Sequence, residues 1–171
     1  GLDPSLPAGV SGTLLQAGQC FMVDMGGNFY GYMGDMSRVF SIGRLPEQAY
    51  TAHQTCIEIQ EEIAAMAKPG TVCEDMYNKA IEIVTKAGFA DYFMGVDQKA
   101  KFIGHGIGLE INEMPVLAPR MKQELEPGMV FALEPKIVLP GIGPVGIENS
   151  WAVTTDGLEK LTLCKEEIIE L

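Results

Sequence analysis

VDMGGNFYGYMGD, residues 23–35, has the pattern of a tight antiparallel hairpin, yet it carries an aspartate on each arm. Turn-forming residues cluster at Asn28–Gly31, and Asp24 and Asp35 are equidistant from the middle of that stretch. The reading therefore sets the two carboxylates opposite each other. Opposed like charges destabilise a strand pair, and aspartate is a poor strand residue to begin with. A second stretch repeats the arrangement: MVFALEPKIVL (129–139) and VGIENSWAVT (145–154) flank the tight PGIGP segment, with Glu134 and Glu148 equidistant from Gly141. Two such pairs suggest a device.

Opposed carboxylates are tolerated when protonated, solvated or bridged by cations. Asp24 follows Phe21-Met22-Val23 and Glu134 follows Val130-Phe131-Ala132-Leu133, runs that read as buried strand. Charges adjoining buried strands need partners. Only Arg38 and Lys136, of 12 Lys+Arg, stand close to these motifs in sequence. Two divalent ions would balance four carboxylates. An oxygen-rich set with one imidazole favours Mn²⁺, with Co²⁺, Zn²⁺ and Fe²⁺ as alternatives. The chain has two histidines. His53 reads as a surface residue of an amphipathic helix, whereas His105 stands in IGHGIG, where glycines permit close approach. GHGIGLE is a poor phosphate loop, because no helix N-terminus follows and no lysine is placed for phosphate.

A length of 171 residues suits a single domain, 1–171, and 47% hydrophobic residues fit a globular chain. A net charge of −11 argues against nucleic acid as a partner. Cys20, Cys56, Cys73 and Cys164 lack CxxC spacing, so buried reduced thiols and a cytoplasmic location are expected. No apolar run is long enough for a membrane span. The sequence opens at Gly1 without an initiator methionine, which raises the expectation of a processed or truncated piece.

Pro46 opens a helix of about 22 residues with Ala52, Cys56, Ile59, Ile63 and Met66 on one face. Thr71 and Glu74 form a capping box for a second helix, whose apolar face is Met76, Ala80, Ile83 and Ala87, and Gly88 stops it. Pro127-Gly128 suits a type II turn. Strand groups on both sides of a helix pair predict an α+β class with mainly antiparallel pairing.

VDMG…GYMGDMSRVF, GHGIGLE, LEPGMVFALEP and IENSWAVTTDG resemble, in order over about residues 15–160, the metal motifs of the pita-bread metallopeptidases. That family includes methionine aminopeptidase, aminopeptidase P and prolidase. GYMGDMSR and IEN are closer to the aminopeptidase P/prolidase branch. The resemblance implies that Asp24 chelates one metal, Asp35 and Glu148 bridge both, and His105 and Glu134 complete the second. It implies a water nucleophile activated between the ions, with Glu134 as general base and proton shuttle. The implied reaction removes an N-terminal residue from a peptide ahead of proline, or cleaves an Xaa-Pro dipeptide. It further implies a pita-bread fold lacking part of its N-terminal half, with an exposed sheet that a second copy would cover as a homodimer.

The sequence departs from the family in three places. Asn112 replaces a histidine seven residues after His105, Gly146 replaces an arginine two residues before Glu148, and no histidine precedes Asp24. These departures keep two alternatives open. One is an impaired pseudo-peptidase that binds peptides or proteins, and the other is a purely structural cation site. Arg38 is read either as a support for a metal carboxylate or as a surface ion pair, Trp151 as core or sheet face, and KEEIIEL as a solvated tail or edge strand.

Overall fold

The first hairpin is formed by β1 (Cys20–Phe29) and β2 (Tyr32–Ser41), joined by Tyr30-Gly31. Both turn residues have positive φ, 51° and 91°, as a type I′ turn requires. The Asn28 side-chain oxygen accepts from the Gly31 N–H at 3.1 Å and fixes the turn there. This corrects the expected register: Asp24 pairs with Ser37 and Asp35 with Gly26. The two aspartates are diagonal neighbours on one face, which avoids direct opposition. A computed structural model describes residues 12–171 of the chain.

Helix α1 (Glu47–Met66) begins after Pro46, and α2 (Cys73–Lys86) follows Lys68-Pro69-Gly70. Ala52, Cys56, Ile59 and Ile63 are buried as expected, but Met66 is exposed. The stripe is wider than the apolar pattern, since His53 and Gln60 also point inward. On α2, Val84 is buried while Ala87 lies past the helix end, exposed, before Gly88 at φ 81°. The capping box does not form. Thr71 Oγ1 accepts from the Lys68 N–H, and the Glu74 carboxylate is taken by the Arg120 N–H and by Lys122.

The remaining strands are β3 (Gly104–Gly106), β4 (Glu113–Val116), β5 (Val130–Leu133), β6 (Lys136–Leu139), β7 (Gly143–Gly146), β8 (Asn149–Val153), β9 (Leu158–Lys160) and β10 (Ile169–Glu170). They form a five-stranded sheet, β4-β3-β5-β8-β9, and a β6-β7 ribbon, while β10 adds to the first hairpin as an edge strand. All pairs are antiparallel except β10 with β2. The second hairpin keeps the register read from sequence, but each long strand is interrupted. Glu134-Pro135 separates β5 from β6, and Ile147-Glu148 separates β7 from β8. Proline has no N–H for the ladder, while the Glu134 N–H continues the β3–β5 register to the Ile103 carbonyl at 2.8 Å.

α1 packs on α2 and on the β6–β7 ribbon, burying Ile59, Ile63, Met76, Ile137 and Ile147. Each such side chain contributes about 1.5–3 kcal/mol. The first hairpin docks on the second through Cys20 N–H to Ile142 O at 2.9 Å and Glu148 N–H to Ser37 O at 3.3 Å. β3 runs between β4 and β5 only because its ends are glycine. A Cβ on Gly104 would lie 2.3 Å from Ala132 O, and one on Gly106 would lie 2.2 Å from Met114 O. Gly104→Ala should therefore lower the urea midpoint, costing about 1–3 kcal/mol; an unchanged midpoint would show that β3 can move aside freely.

Candidate metal centre

The docking of the hairpins, with β3 beside β5, brings Asp35, His105 and Glu148 together, with Glu134 next to His105. Single oxygen or nitrogen atoms of Asp35, His105 and Glu148 lie within 4.8 Å of one another. His105 Nε2 is 3.5 Å from Glu134 Oε1 and 3.8 Å from Asp35 Oδ2. Asp24, more exposed on β1, lies close enough to Asp35 to raise its pKa.

Electrostatics confirm crowding. Burial, then the Asp24 charge, pushes Asp35 up to about 6. Burial pushes Glu134 to about 7, against the attraction of Lys136. Glu148 rises to about 9, through burial first and then repulsion by Glu134 and Asp35. The His105 Nδ1 contact with Gly106 O, 3.1 Å, needs a proton on Nδ1, and Nε2 is the ring atom that faces the carboxylates. Acceptors facing acceptors need a proton or a cation between them. The donor set therefore fits divalent metal, with oxygen ligands and one imidazole.

Apart from Ser37, the supports around these ligands hold backbone rather than carboxylate oxygens. Arg38, 3% exposed, donates to the carbonyls of Ser37, Glu148 and Lys165 and to Asn149 Oδ1. It is neither a surface ion pair nor a direct partner of a metal carboxylate. Ser37 Oγ donates to Glu148 Oε2 at 2.7 Å, and Ser150 Oγ donates to Asp35 O at 3.0 Å. Gln60 donates to Leu133 O and Ile147 O, fixing the backbone before each glutamate. Sequence reasoning missed Ser37, Ser150 and Gln60; a polar residue beside the Ile59–Ile63 stripe was the available signal. His53 corrects the surface expectation: it is buried, its Nε2 is 2.6 Å from Glu166 O, and burial lowers its pKa. Trp151 is buried in the sheet, as read. Of the four free cysteines, Cys164 is exposed and the other three are buried.

An apolar cavity of about 360 Å³ opens beside His105, lined by Phe102, Asn112, Glu113, Met114 and Val116. At Gly146, where the family resemblance leads one to expect arginine, a Cβ would lie 2.5 Å from Pro135 O and 2.8 Å from Lys136 Cα. This backbone leaves no room for a side chain there.

An α+β frame whose two hairpins gather acidic side chains around one imidazole has the architecture of the pita-bread hydrolases, here in part. The chain belongs to metallopeptidase family M24, whose model matches residues 1–155. It is 31% identical over 166 residues to the Xaa-Pro dipeptidase of Pyrococcus furiosus, a match covering 96% of this chain and 46% of that protein. The X-Pro aminopeptidase of Thermotoga maritima superposes with a TM-score of 0.88 at 30% identity, over 98% of this chain and 46% of that one. An Xaa-Pro dipeptidase from Bacillus anthracis gives 0.85 at 34% identity, over 98% and 46%. The chain thus spans about half the length of the relatives it matches.

Glu134 and Glu148 have folded pKa values above their ordinary range, so the metal-free native state holds protons that the unfolded chain has lost. Their contribution to stability is complete below the ordinary carboxylate range and disappears as pH rises through about 7 and about 9. Between roughly pH 7 and 9, above the ordinary histidine value of about 6.5, the Tm of metal-stripped protein should fall by about 5 °C. Saturating Mn²⁺ should flatten the fall. A Tm that rises across this window without metal would contradict the raised pKa values.

Proposed function

We propose that this chain is the metal-bearing, catalytic portion of an Xaa-Pro exopeptidase, acting on peptides with proline next to the N-terminal residue or on Xaa-Pro dipeptides. The carrying observation is the convergence of Asp35, His105 and Glu148 within 4.8 Å, with Asp24 and Glu134 alongside. The names and structures of the relatives above support the same reading. In it, residues 1–171 act as a single domain, and three buried, unpaired cysteines suit a reducing compartment such as the cytoplasm. Exposed Phe29, Tyr30 and Tyr32 at the hairpin tip are compatible with a second copy as partner. No helix of the described residues is long and apolar enough to cross a membrane.

Asp24 would hold one divalent ion, Asp35 and Glu148 both, and His105 with Glu134 the other; Mn²⁺ suits this oxygen-rich set best, with Co²⁺, Zn²⁺ or Fe²⁺ as substitutes. Such ions supply Lewis acidity toward a carbonyl and lower the pKa of water. Glu134 takes the proton of the attacking water and passes it to the departing amine. Its carboxylate stands 3.5 Å from His105, beside the cavity in which Phe102, Met114 and Val116 offer an apolar wall to a pyrrolidine ring. Asn112 at the cavity edge donates a hydrogen bond to a substrate carbonyl but carries no proton, which leaves proton transfer to Glu134. Asn112 is also the observation that favours a peptide-binding module without activity; the complete ligand set favours the enzyme.

Calorimetric titration of metal-stripped protein with Mn²⁺ should show two ions bound, and Asp35→Asn should lose them. Absence of saturable binding by the wild type would end the metallopeptidase reading for this chain. With Mn²⁺ present, Ala-Pro hydrolysis should drop by about 10²-fold or more in Glu134→Gln. Undiminished hydrolysis in that variant would remove Glu134 from the proton path.

A further inference from the structure

His53 has no role in the reading so far. Tyr50, His53, Ile57 and Gln60 recur along α1 at spacings of three and four, so they share one stripe of the helix. That stripe meets segment 161–171. Tyr50 Oη donates to the Glu170 carboxylate, and His53 Nε2 lies 2.6 Å from Glu166 O. Ile57 lines a cavity of about 490 Å³ together with Lys165, Glu166 and Glu167. Gln60 reaches the segment through Asn149, whose Nδ2 donates to both Gln60 Oε1 and Glu166 Oε1. The two ends of the segment are tied elsewhere, by the Leu161 N–H to Ser150 O and the Leu171 N–H to Ser41 O, both at 2.9 Å.

His53 is 5% exposed. A carbonyl only accepts, so Nε2 carries the proton and Nδ1 of the neutral ring is a bare acceptor. Nδ1 is buried and has no hydrogen-bond partner among the described residues. The neutral ring suits this place and the charged ring does not. A second proton would go to Nδ1, where nothing accepts it, and would place a positive charge away from water. Burial is the largest influence on the ring and holds its pKa below the ordinary histidine value. The bond to Glu166 O works against that, and the Arg38 guanidinium of β2 works with it. The Glu166 carboxylate also favours the charged ring, but it is already shared between Lys160 and Asn149.

We infer that His53 is a pH-sensitive latch, whose neutral ring fastens segment 161–171 to α1 and whose protonation releases it. In the released state the imidazolium reaches water. Lys165 O and the Glu166 carboxylate leave with the segment, so Arg38 and Asn149 lose partners. Arg38 holds the main chain of Glu148 and the Asn149 side chain. Acid therefore loosens the frame around the acidic cluster. The released chain takes its proton near the ordinary histidine value of about 6.5, and the latched chain only at lower pH. The latch is thus at full strength above that value and weakens as pH falls through it. It belongs to the metal-free chain and does not rest on the proposed peptidase activity.

The test is amide hydrogen exchange of the chain without added metal, expressed as protection factors so that the intrinsic effect of pH on exchange is removed. Between about pH 7.5 and 5.5, protection of the Leu171 N–H should fall by about three- to tenfold, the range that one histidine proton supplies. Amides inside α2 should hold or gain protection over the same range. Asp35, Glu134 and Glu148 have raised pKa values, so their protonation stabilises the folded chain as pH falls. His53→Gln keeps an N–H donor for Glu166 O but does not titrate, and should abolish the fall at Leu171. A level or rising wild-type profile at Leu171, an equal fall in α2, or a fall that persists in His53→Gln would each overturn the inference. The wild-type contrast between Leu171 and α2 decides even if His53→Gln fails to fold.

Discussion

Repulsion among Asp24, Asp35, Glu134 and Glu148 is the constraint that the surrounding structure answers. These side chains meet where two hairpins dock, beside one imidazole and one ammonium. Burial and mutual repulsion raise Asp35, Glu134 and Glu148 in steps to about 6, 7 and 9. Without ions the fold must hold protons there. With ions the same geometry becomes favourable, because each carboxylate then faces opposite charge. A cation held by this cluster would couple its own binding to folding.

Holding such a cluster requires a frame that does not use up its oxygens. Arg38 is the main example. A guanidinium beside acidic groups would ordinarily pair with them, but this one spends its donors on three carbonyls and an amide oxygen. Gln60 fixes the carbonyls of Leu133 and Ile147 from the helix side. Among the described residues, Ser37 contributes the one side-chain hydrogen bond to Glu148, on Oε2.

Much of this was legible in the sequence because hairpin arithmetic and apolar runs are local. The Glu134–Glu148 register follows from PGIGP, whose glycines adopt positive φ at 141 and 143. The first hairpin departs from the expected register by one position per arm because the turn-forming cluster Asn28–Gly31 is four residues long and its pattern does not show which two close the turn. The chain closes it with two, using Tyr30 in a conformation that tyrosine rarely adopts. Parity survives such a shift, which is why both aspartates still share a face. The capping box failed for a nonlocal reason: Arg120 and Lys122, distant in sequence, claim Glu74. His53 was misplaced because its partner, the Glu166 carbonyl, belongs to a tail with no visible tie to the helix in sequence.

That tail extends the frame beyond the metal motifs. Arg38 Nε donates to Lys165 O, and Asn149 Nδ2 bridges Gln60 Oε1 and Glu166 Oε1. Lys160 pairs with the same Glu166, and β10 then runs beside β2. A continuous chain of hydrogen bonds thus links the backbone of Glu148 to α1, to the C-terminal segment and to the edge of the first hairpin. Each bond is modest in net energy, but removing one partner leaves the other buried and unpaired, which costs more than the bond supplied. Such a network resists piecemeal loosening. Its effect at the site is positional: Glu148, with the highest pKa of the raised carboxylates, is held by its main chain while its second oxygen, Oε1, stays without a side-chain donor among the described residues. A ligand oxygen fixed in place yet left unpaired is what a cation site requires.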